Sequence, residues 1–346
     1  MRLFDEAEAV MAQAQEVIDR TGQSVQTANL AFVRAYTRLS AGRLDDAAAE
    51  AQSGLETAGE LGACGFARLG DAVLAIIALM RGDLAAADRN LEKYNVKATG
   101  NAIPWGWGVW AVVRVAEARH GPQRAADLLA ADTRMWRWFL LLEPDLAAWW
   151  TRVCLAGGDA ARAGRVVETI TFLADTNPDH PVLAGAAAHA RGVLHGDAAA
   201  LADAVRRLGG SWAGASAAED LGVLLRDEAD QRAAIDHLDR ALEDYEAVGS
   251  VRDAARVRAR LRGLGARRCH WRQAERPVSG WGSLTDTERS VALLVAQGLT
   301  NRQAAARMFI SPHTVKFHLS QVFRKLQLGS RVELARAAPG EPEGNA

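Results

Sequence analysis

Apolar residues return every three to four positions through most of the first 265 residues. Two examples are Ala72, Leu74, Ile76, Ile77, Leu79, Met80 and Ala233, Ile235, Leu238, Leu242, Tyr245. This is the spacing of a helix with one buried face. No stretch of alternating polarity is long enough for a sheet, so the fold is predicted to be all-α. A small turn followed by an Ala-rich helical start recurs at Gly42-Arg43-Leu44-Asp45-Asp46, Gly82-Asp83-Leu84, Gly121-Pro122-Gln123, Gly158-Asp159-Ala160 and Gly196-Asp197-Ala198. The glycines stand 40, 39, 37 and 38 residues apart, and a looser sixth copy begins near Glu228-Ala229-Asp230. A constant period in this range predicts stacked helical hairpins. Gly supplies the turn inside each hairpin, where a Cβ would be penalised at positive φ. Ala lets neighbouring helices approach closely.

The repeats resemble tetratricopeptide-type units, with a longer period and without that family's Trp/Leu/Gly/Tyr signature. The expectation is a right-handed solenoid of five to six hairpins over residues 1–265, whose concave groove suits a protein or small-molecule partner. Tryptophan gathers in its middle: Trp105, Trp107, Trp110, Trp136, Trp138, Trp149 and Trp150 are seven of ten. An aromatic-lined effector pocket is one reading, with Trp105, Trp107, Trp110, Trp136 and Trp138 as its lining. The plainer one, which takes precedence, is that large rings fill the gaps left by Ala.

Composition adds a charge split to this picture. The chain has 346 residues, is 49% apolar and carries a net charge of −1. Residues 252–276 contribute +7, residues 284–336 contribute +5 and the tail −2, which leaves −11 for residues 1–251. An acidic body with a basic C-terminal quarter points to a polyanion met at one end only. Cys64, Cys154 and Cys269 are odd in number and far apart. They exclude a disulfide framework and a clustered zinc site. The start, Met1-Arg2-Leu3-Phe4-Asp5-Glu6, is unlike a secretion signal. With no apolar run long enough to span a bilayer, the expected location is the cytoplasm, away from membranes.

The chemistry lies in the last quarter. Thr285 with Glu288 forms a capping box opening a helix that stops at Gly298. Thr300 with Gln303 repeats the device and opens a short helix, Asn301 to Met308. Ser311 caps a third helix with Pro312 at its first position. Three capped helices with tight turns make a helix-turn-helix unit. On the third, Val315, Leu319, Val322 and Leu326 form the predicted buried stripe. Opposite them lie His313, Phe317, Ser320, Gln321 and Arg324, with Lys316 and Lys325 on the flanks. A purely structural helix has no reason to point Phe317 among basic and amide groups. In a major groove the ring can meet a thymine methyl, while Lys316 or Gln321 reaches base-edge acceptors. The base-reading set is therefore His313, Lys316, Phe317, Ser320 and Gln321. Thr314, His318, Arg324 and Lys325 are assigned to phosphates, together with Arg302 and Arg307 of the preceding helix.

The segments Leu284-Thr285-x-x-Glu288, Gly298-Leu299-Thr300-Asn301, Ile310-Ser311-Pro312-x-Thr314-Val315-Lys316-x-His318-Leu319, Lys325-Leu326 and Ser330-Arg331 resemble the LuxR-type helix-turn-helix of bacterial transcription regulators. Upstream, Ala241-Leu242-Glu243, Gly249, Ala255-Arg256 and Arg260-Leu261-Arg262-x-Leu264-Gly265 resemble the helical region that precedes this domain in the large ATP-binding LuxR regulators. The resemblance implies a four-helix DNA-binding domain at 284–338, with Lys316, Phe317 and Ser320 facing bases. It also implies a final helix, with Ser330, Val332 and Ala335, that pairs two domains into a homodimer on DNA. Two residues depart from the pattern. Ala304 replaces a branched aliphatic residue, and Gln327 stands where Gly usually ends the recognition helix. The cost of a left-handed Gln327, about 1 kcal/mol, is avoided if Gly329 makes the turn.

No Gly-x-x-x-x-Gly-Lys-Ser/Thr occurs, so neither ATP hydrolysis nor any cofactor is expected. The chain is then either a naturally short regulator or one whose N-terminal modules have been cut away. His189 and His195 stand six apart on different helix faces and are read as surface or core residues, with no metal site. Gly209-Gly210-Ser211-Trp212-Ala213-Gly214 reads as loop, leaving Ser211 and Ser216 without a partner base. No enzyme is expected. Residues 266–283 read as a basic linker, whose arginines, 267 and 268 among them, either add salt-dependent phosphate contacts or simply keep a hinge soluble, and residues 339–346 as a disordered tail. The resulting expectation is a transcriptional regulator with double-stranded DNA and RNA polymerase as partners, governed by a small-molecule or protein effector at the solenoid. The alternative is a tetratricopeptide-type protein-interaction scaffold whose DNA-binding end is secondary.

Overall fold

A computed structural model describes residues 2–22, 24–62, 64–96, 106–130, 136–227, 230–266, 280–308, 310 and 312–338. Among these residues every regular element is helical. The elements are α1 (Arg2–Thr21), α2 (Ser24–Ser40), α3 (Leu44–Glu60), α4 (Cys64–Met80), α5 (Leu84–Val96), α6 (Gly106–His120) and α7 (Pro122–Ala130). Next come α8 (Trp136–Leu142), α9 (Leu146–Ala156), α10 (Ala160–Thr176), α11 (Pro181–His195), α12 (Ala198–Leu208), α13 (Trp212–Asp227), α14 (Gln231–Ala247) and α15 (Val251–Gly263). A short 3₁₀ turn, Trp281–Ser283, leads into α16 (Asp286–Ala296), α17 (Asn301–Met308), α18 (Pro312–Leu326) and α19 (Arg331–Ala337). No described helix is long and apolar enough to cross a membrane.

The chain divides into two compact units. One takes Met1–Ala35, Asp45–Ala63 and Arg268–Ala346, the other Tyr36–Leu44 and Cys64–Arg267.

In the second unit the helices pack on their sequence neighbours from α4 to α7 and from α9 to α15, α7 packs on α9 and α8 on α10, and α15 returns against α4. The stack therefore curls back on itself. All five repeat glycines take positive φ: Gly42 75°, Gly82 81°, Gly121 83°, Gly158 78° and Gly196 63°. The turn at Gly82 is a Schellman closure, with Gly82 N–H donating to Leu79 at 3.0 Å and Asp83 N–H to Ala78 at 2.9 Å. The aspartate that follows the glycine then caps the next helix. Asp83, Asp159 and Asp197 accept from the N–H three residues on, at 2.9, 2.9 and 3.0 Å. Gly-Asp thus ends one helix and starts the next, which fixes the hairpin locally. Ala-rich faces such as Ala186, Ala187, Ala188 and Ala190 are fully packed, as the sequence pattern requires.

The stretch from Gly209 to Gly214 is not simply a loop. Trp212 begins α13, and Ser211 Oγ accepts from Gly214 N–H at 3.1 Å as its cap. A Cβ on Gly214 would collide with the Leu208 carbonyl, so its bare backbone lets α13 start against the end of α12. Ser216 lies buried in α13, where Arg152 Nη2 donates to its hydroxyl at 3.0 Å. His189 is a core histidine, 2% exposed and 2.7 Å from Asp220. Burial lowers its pKa, against the pull of Asp220.

Candidate nucleic-acid interface

The first unit contains α16 to α19, whose core is Val291, Ala292, Val295, Ala304, Ile310, Val315, Leu319, Val322 and Leu334. Local chemistry sets each start. Thr285 Oγ accepts from Glu288 N–H at 3.2 Å while Glu288 accepts from Thr285 N–H at 2.8 Å, the predicted capping box. Thr300 and Gln303 exchange the same pair at 3.3 and 2.9 Å, opening α17. Ser330 caps α19 through Glu333 N–H at 3.2 Å. Ala304 is fully buried at the centre of this core, where a small side chain brings α17 close to α18.

On α18 the faces separate as the helical period demands. Val315, Leu319 and Val322 are buried, Lys316, Ser320 and Arg324 are exposed, and His313, Phe317 and Gln321 are half-buried. Ser320 donates its hydroxyl to the Lys316 carbonyl at 3.1 Å, leaving its lone pairs outward. Arg324 Nη2 donates to Gln321, which joins the amide and the guanidinium into one polar edge. Phe317 meets His318 edge-on at 5.7 Å. Arg302 and Arg307 of α17 are exposed.

Three residues assigned to phosphates are turned elsewhere. Thr314 and His318 have no exposed surface. They stand beside the aliphatic stripe, one residue before Val315 and Leu319, and so turn inward with it. Asp46 of α3, in the same unit, comes within 3.8 Å of His318 Nε2 and accepts the Thr287 hydroxyl at 3.1 Å. Lys325 gives its ammonium to Glu288, at 2.6 and 2.9 Å from the two carboxylate oxygens. His313 is partly engaged, its Nδ1 lying 3.1 Å from Glu56.

Gln327 takes φ 55°, unlike any other described non-glycine residue. The left-handed residue ending α18 is thus Gln327 itself, and Gly329 does not make the turn. Leu328 N–H closes onto the Phe323 carbonyl at 2.9 Å, a bond that needs the residue between them to be left-handed.

The end of the segment assigned to the linker joins this domain, Gly280 N–H donating to the Lys325 carbonyl at 3.1 Å. Trp281 packs on it and donates its indole N–H to the Ala337 carbonyl at 2.9 Å. Arg331, a residue with no visible sign of its role in the sequence, ties α19 to the α16–α17 turn through the Leu299 carbonyl at 3.1 Å and Asn301. The conspicuous Trp281 beside two glycines was the available sign for the first of these. Val332 is 61% exposed and Ala335 is exposed. Of the tryptophans proposed for an effector pocket, Trp105 and the side chains of Trp107, Trp136 and Trp138 lie outside the described residues, as do Ser311, arginines 267 and 268 and the tail. Trp110 is half-buried on α6.

Four short helices, the third presenting a basic and amide edge away from an aliphatic core, define a helix-turn-helix domain. Residues 282–338 match the family described as bacterial regulatory proteins, luxR family, and form a LuxR-family domain of that type. Over 66 residues the chain is 53% identical to Rv0890c of Mycobacterium tuberculosis, described as an HTH-type transcriptional regulator. That alignment covers 19% of this chain and 8% of the relative. It is 39% identical over 101 residues to the DNA-binding transcriptional activator DevR/DosR of Mycobacterium tuberculosis, covering 28% of this chain and 42% of that protein. It is 46% identical over 52 residues to the nitrate/nitrite response regulator protein NarL of Escherichia coli, covering 15% and 24%. The chain therefore spans less than half the length of each.

Proposed function

We propose that the protein is a sequence-specific DNA-binding transcriptional regulator that lays α18 in the major groove. The observation that carries the reading is the segregation on α18: Lys316, Ser320 and Arg324 exposed, Phe317 held among them, and Val315, Leu319 and Val322 buried. A helix of this width fits the major groove, where an ammonium or amide meets guanine or adenine acceptors and a ring edge meets a thymine methyl. Lys316, Phe317, Ser320, Gln321 and, once freed from Glu56, His313 are the base-reading set. Arg302, Arg307 and Arg324 hold phosphates and set register. The domain runs to residue 338, and the helical repeats up to residue 265 form the controlling body.

Two such domains pair through α19, with Val332 and Ala335 as the apolar contact. RNA polymerase is the partner that turns binding into changed transcription, and an effector at the helical repeats governs it. The names of the relatives, a transcriptional activator and a response regulator, support this class of function. Selection of bound duplexes from random DNA by the full chain tests the reading. Enrichment of an inverted repeat with half-sites about one helical turn, roughly 10 base pairs, apart is expected. Recovery of unenriched sequence with a purely salt-driven affinity would contradict it.

A further inference from the structure

Within the second unit a cavity of about 300 Å³ lies between α6, α9, α13 and α15. Its walls carry five arginines (114, 152, 252, 256, 260) against Glu117, Glu219, Asp220 and Asp253, a surplus of one positive charge. The four carboxylates are already engaged. Asp253 accepts from Ser250 at 2.7 Å, Trp212 Nε1 at 2.9 Å and Arg256 at 2.5 Å. Glu219 accepts from Arg256 at 2.5 and 2.8 Å and from Tyr245 at 3.1 Å. Asp220 is bound by Arg152 and His189, and Glu117 accepts the Trp149 indole N–H at 2.8 Å.

Arg114 stands apart from these pairs. It is 5% exposed, and its Nε and Nη1 have no hydrogen-bond partner. Its guanidinium carbon lies 5.9, 5.4 and 5.0 Å from the ring centroids of Trp110, Trp149 and Trp212. Ring faces attract a cation but take no directed hydrogen bond in the guanidinium plane. A buried cation with unspent donors is costly unless an anion completes it. Burial accordingly lowers the affinity of Arg114 for its proton, against the opposing pull of Asp253 and Glu117.

We propose that this cavity is the effector site and binds a small organic carboxylate, its anionic head on Arg114 and its flat apolar body against Trp149 and Trp212. A single surplus positive charge matches a monoanion. A dianion such as phosphate would set excess negative charge beside four carboxylates. The volume lies at the lower end of small-ligand pockets, and the indole walls suit a planar body. The site deepens the effector half of the function proposed above and rests on it only for the consequence at DNA.

Calorimetric titration of the full chain with phenylacetate and 2-naphthoate, with their neutral amides and with inorganic phosphate, tests the site. The carboxylates should bind about tenfold or more tighter than the amides, since a charge-assisted hydrogen bond is at stake, and phosphate should not bind. Arg114→Gln should remove the preference for the acid. Ala156→Phe, at an exposed position of the wall, should block both carboxylates while circular dichroism stays unchanged, so it decides the matter if Arg114→Gln does not fold. Acid and amide binding equally, no carboxylate binding, or binding unaffected by Ala156→Phe would overturn the proposal. DNA binding is measured separately, without ligand, on the selected duplex. Its loss would overturn the DNA-binding reading and leave this site standing.

Discussion

The ammonium of Lys325 reaches both carboxylate oxygens of Glu288, 37 residues earlier, at 2.6 and 2.9 Å. Glu288 is 1% exposed and also receives the Thr285 N–H, so one carboxylate caps the start of α16 and anchors the end of α18. Lys325 is thereby tied into the fold of the domain. Glu288→Ala removes a helix cap and one partner of a half-buried ion pair. It should destabilise the domain by about 2 kcal/mol, measured as faster amide exchange in α16 and α18 of the full chain.

The turn after α18 stores a small strain. Gln327 at φ 55° carries a Cβ where glycine would carry none, at a cost of about 1 kcal/mol. Gln327→Gly should therefore stabilise the C-terminal helices by up to that amount, less what glycine loses in chain entropy. Amide hydrogen exchange of α18 and α19 in the full chain would show it as slower exchange in the variant.

Much of this was legible because local chemistry decided it. The glycines at Gly42, Gly82, Gly121, Gly158 and Gly196 are left-handed for a reason internal to their own turn, and Thr285 and Thr300 cap within three residues. What escaped depends on distant partners. His318 looked like a phosphate ligand until α3 came near it, and Lys325 until Glu288 did. Gly214 read as loop because only the approach of α12 makes it a helical residue. Arg114 carried a visible sign, one arginine inside the apolar run Ala111-Val112-Val113-Arg114-Val115. Trp110 and Glu117 come from its own helix, but Trp149, Trp212, Glu219, Asp220 and Asp253 arrive from α9, α13 and α15, far along the chain.

Asp145 and Glu143 make part of the second unit sensitive to pH. Burial pushes the Asp145 carboxyl up to about 6 and the Glu143 carboxyl well above its ordinary value, with Asp145 adding to the latter. In the unfolded chain an aspartate titrates near about 4. The folded state therefore binds a proton more tightly, so stability is fully present below about pH 4, falls as pH rises through about 6, and stays reduced above. Asp145→Asn should raise the melting temperature at pH 7.5 and give no gain at pH 4, measured by paired melts across that range.

Glu56 competes with DNA for one residue of the proposed reading face. Its carboxylate lies 3.1 Å from His313 Nδ1, and both side chains are partly exposed, at 61% and 39%. Exposed pairs of this kind contribute at most about 1 kcal/mol. Glu56→Gln should thus tighten binding to the selected duplex by up to about fivefold, read by fluorescence anisotropy at fixed salt, and His313→Ala should abolish that gain.

The exposed edge of α18 is proposed to read base pairs. Its most direct test is equilibrium anisotropy of the full chain and Lys316→Ala on the selected duplex and on a scrambled one, at one ionic strength. Loss of about 1–3 kcal/mol on the selected duplex, with little change on the scrambled one, is the predicted result. Equal losses on both duplexes, or no loss on the selected one, would contradict it.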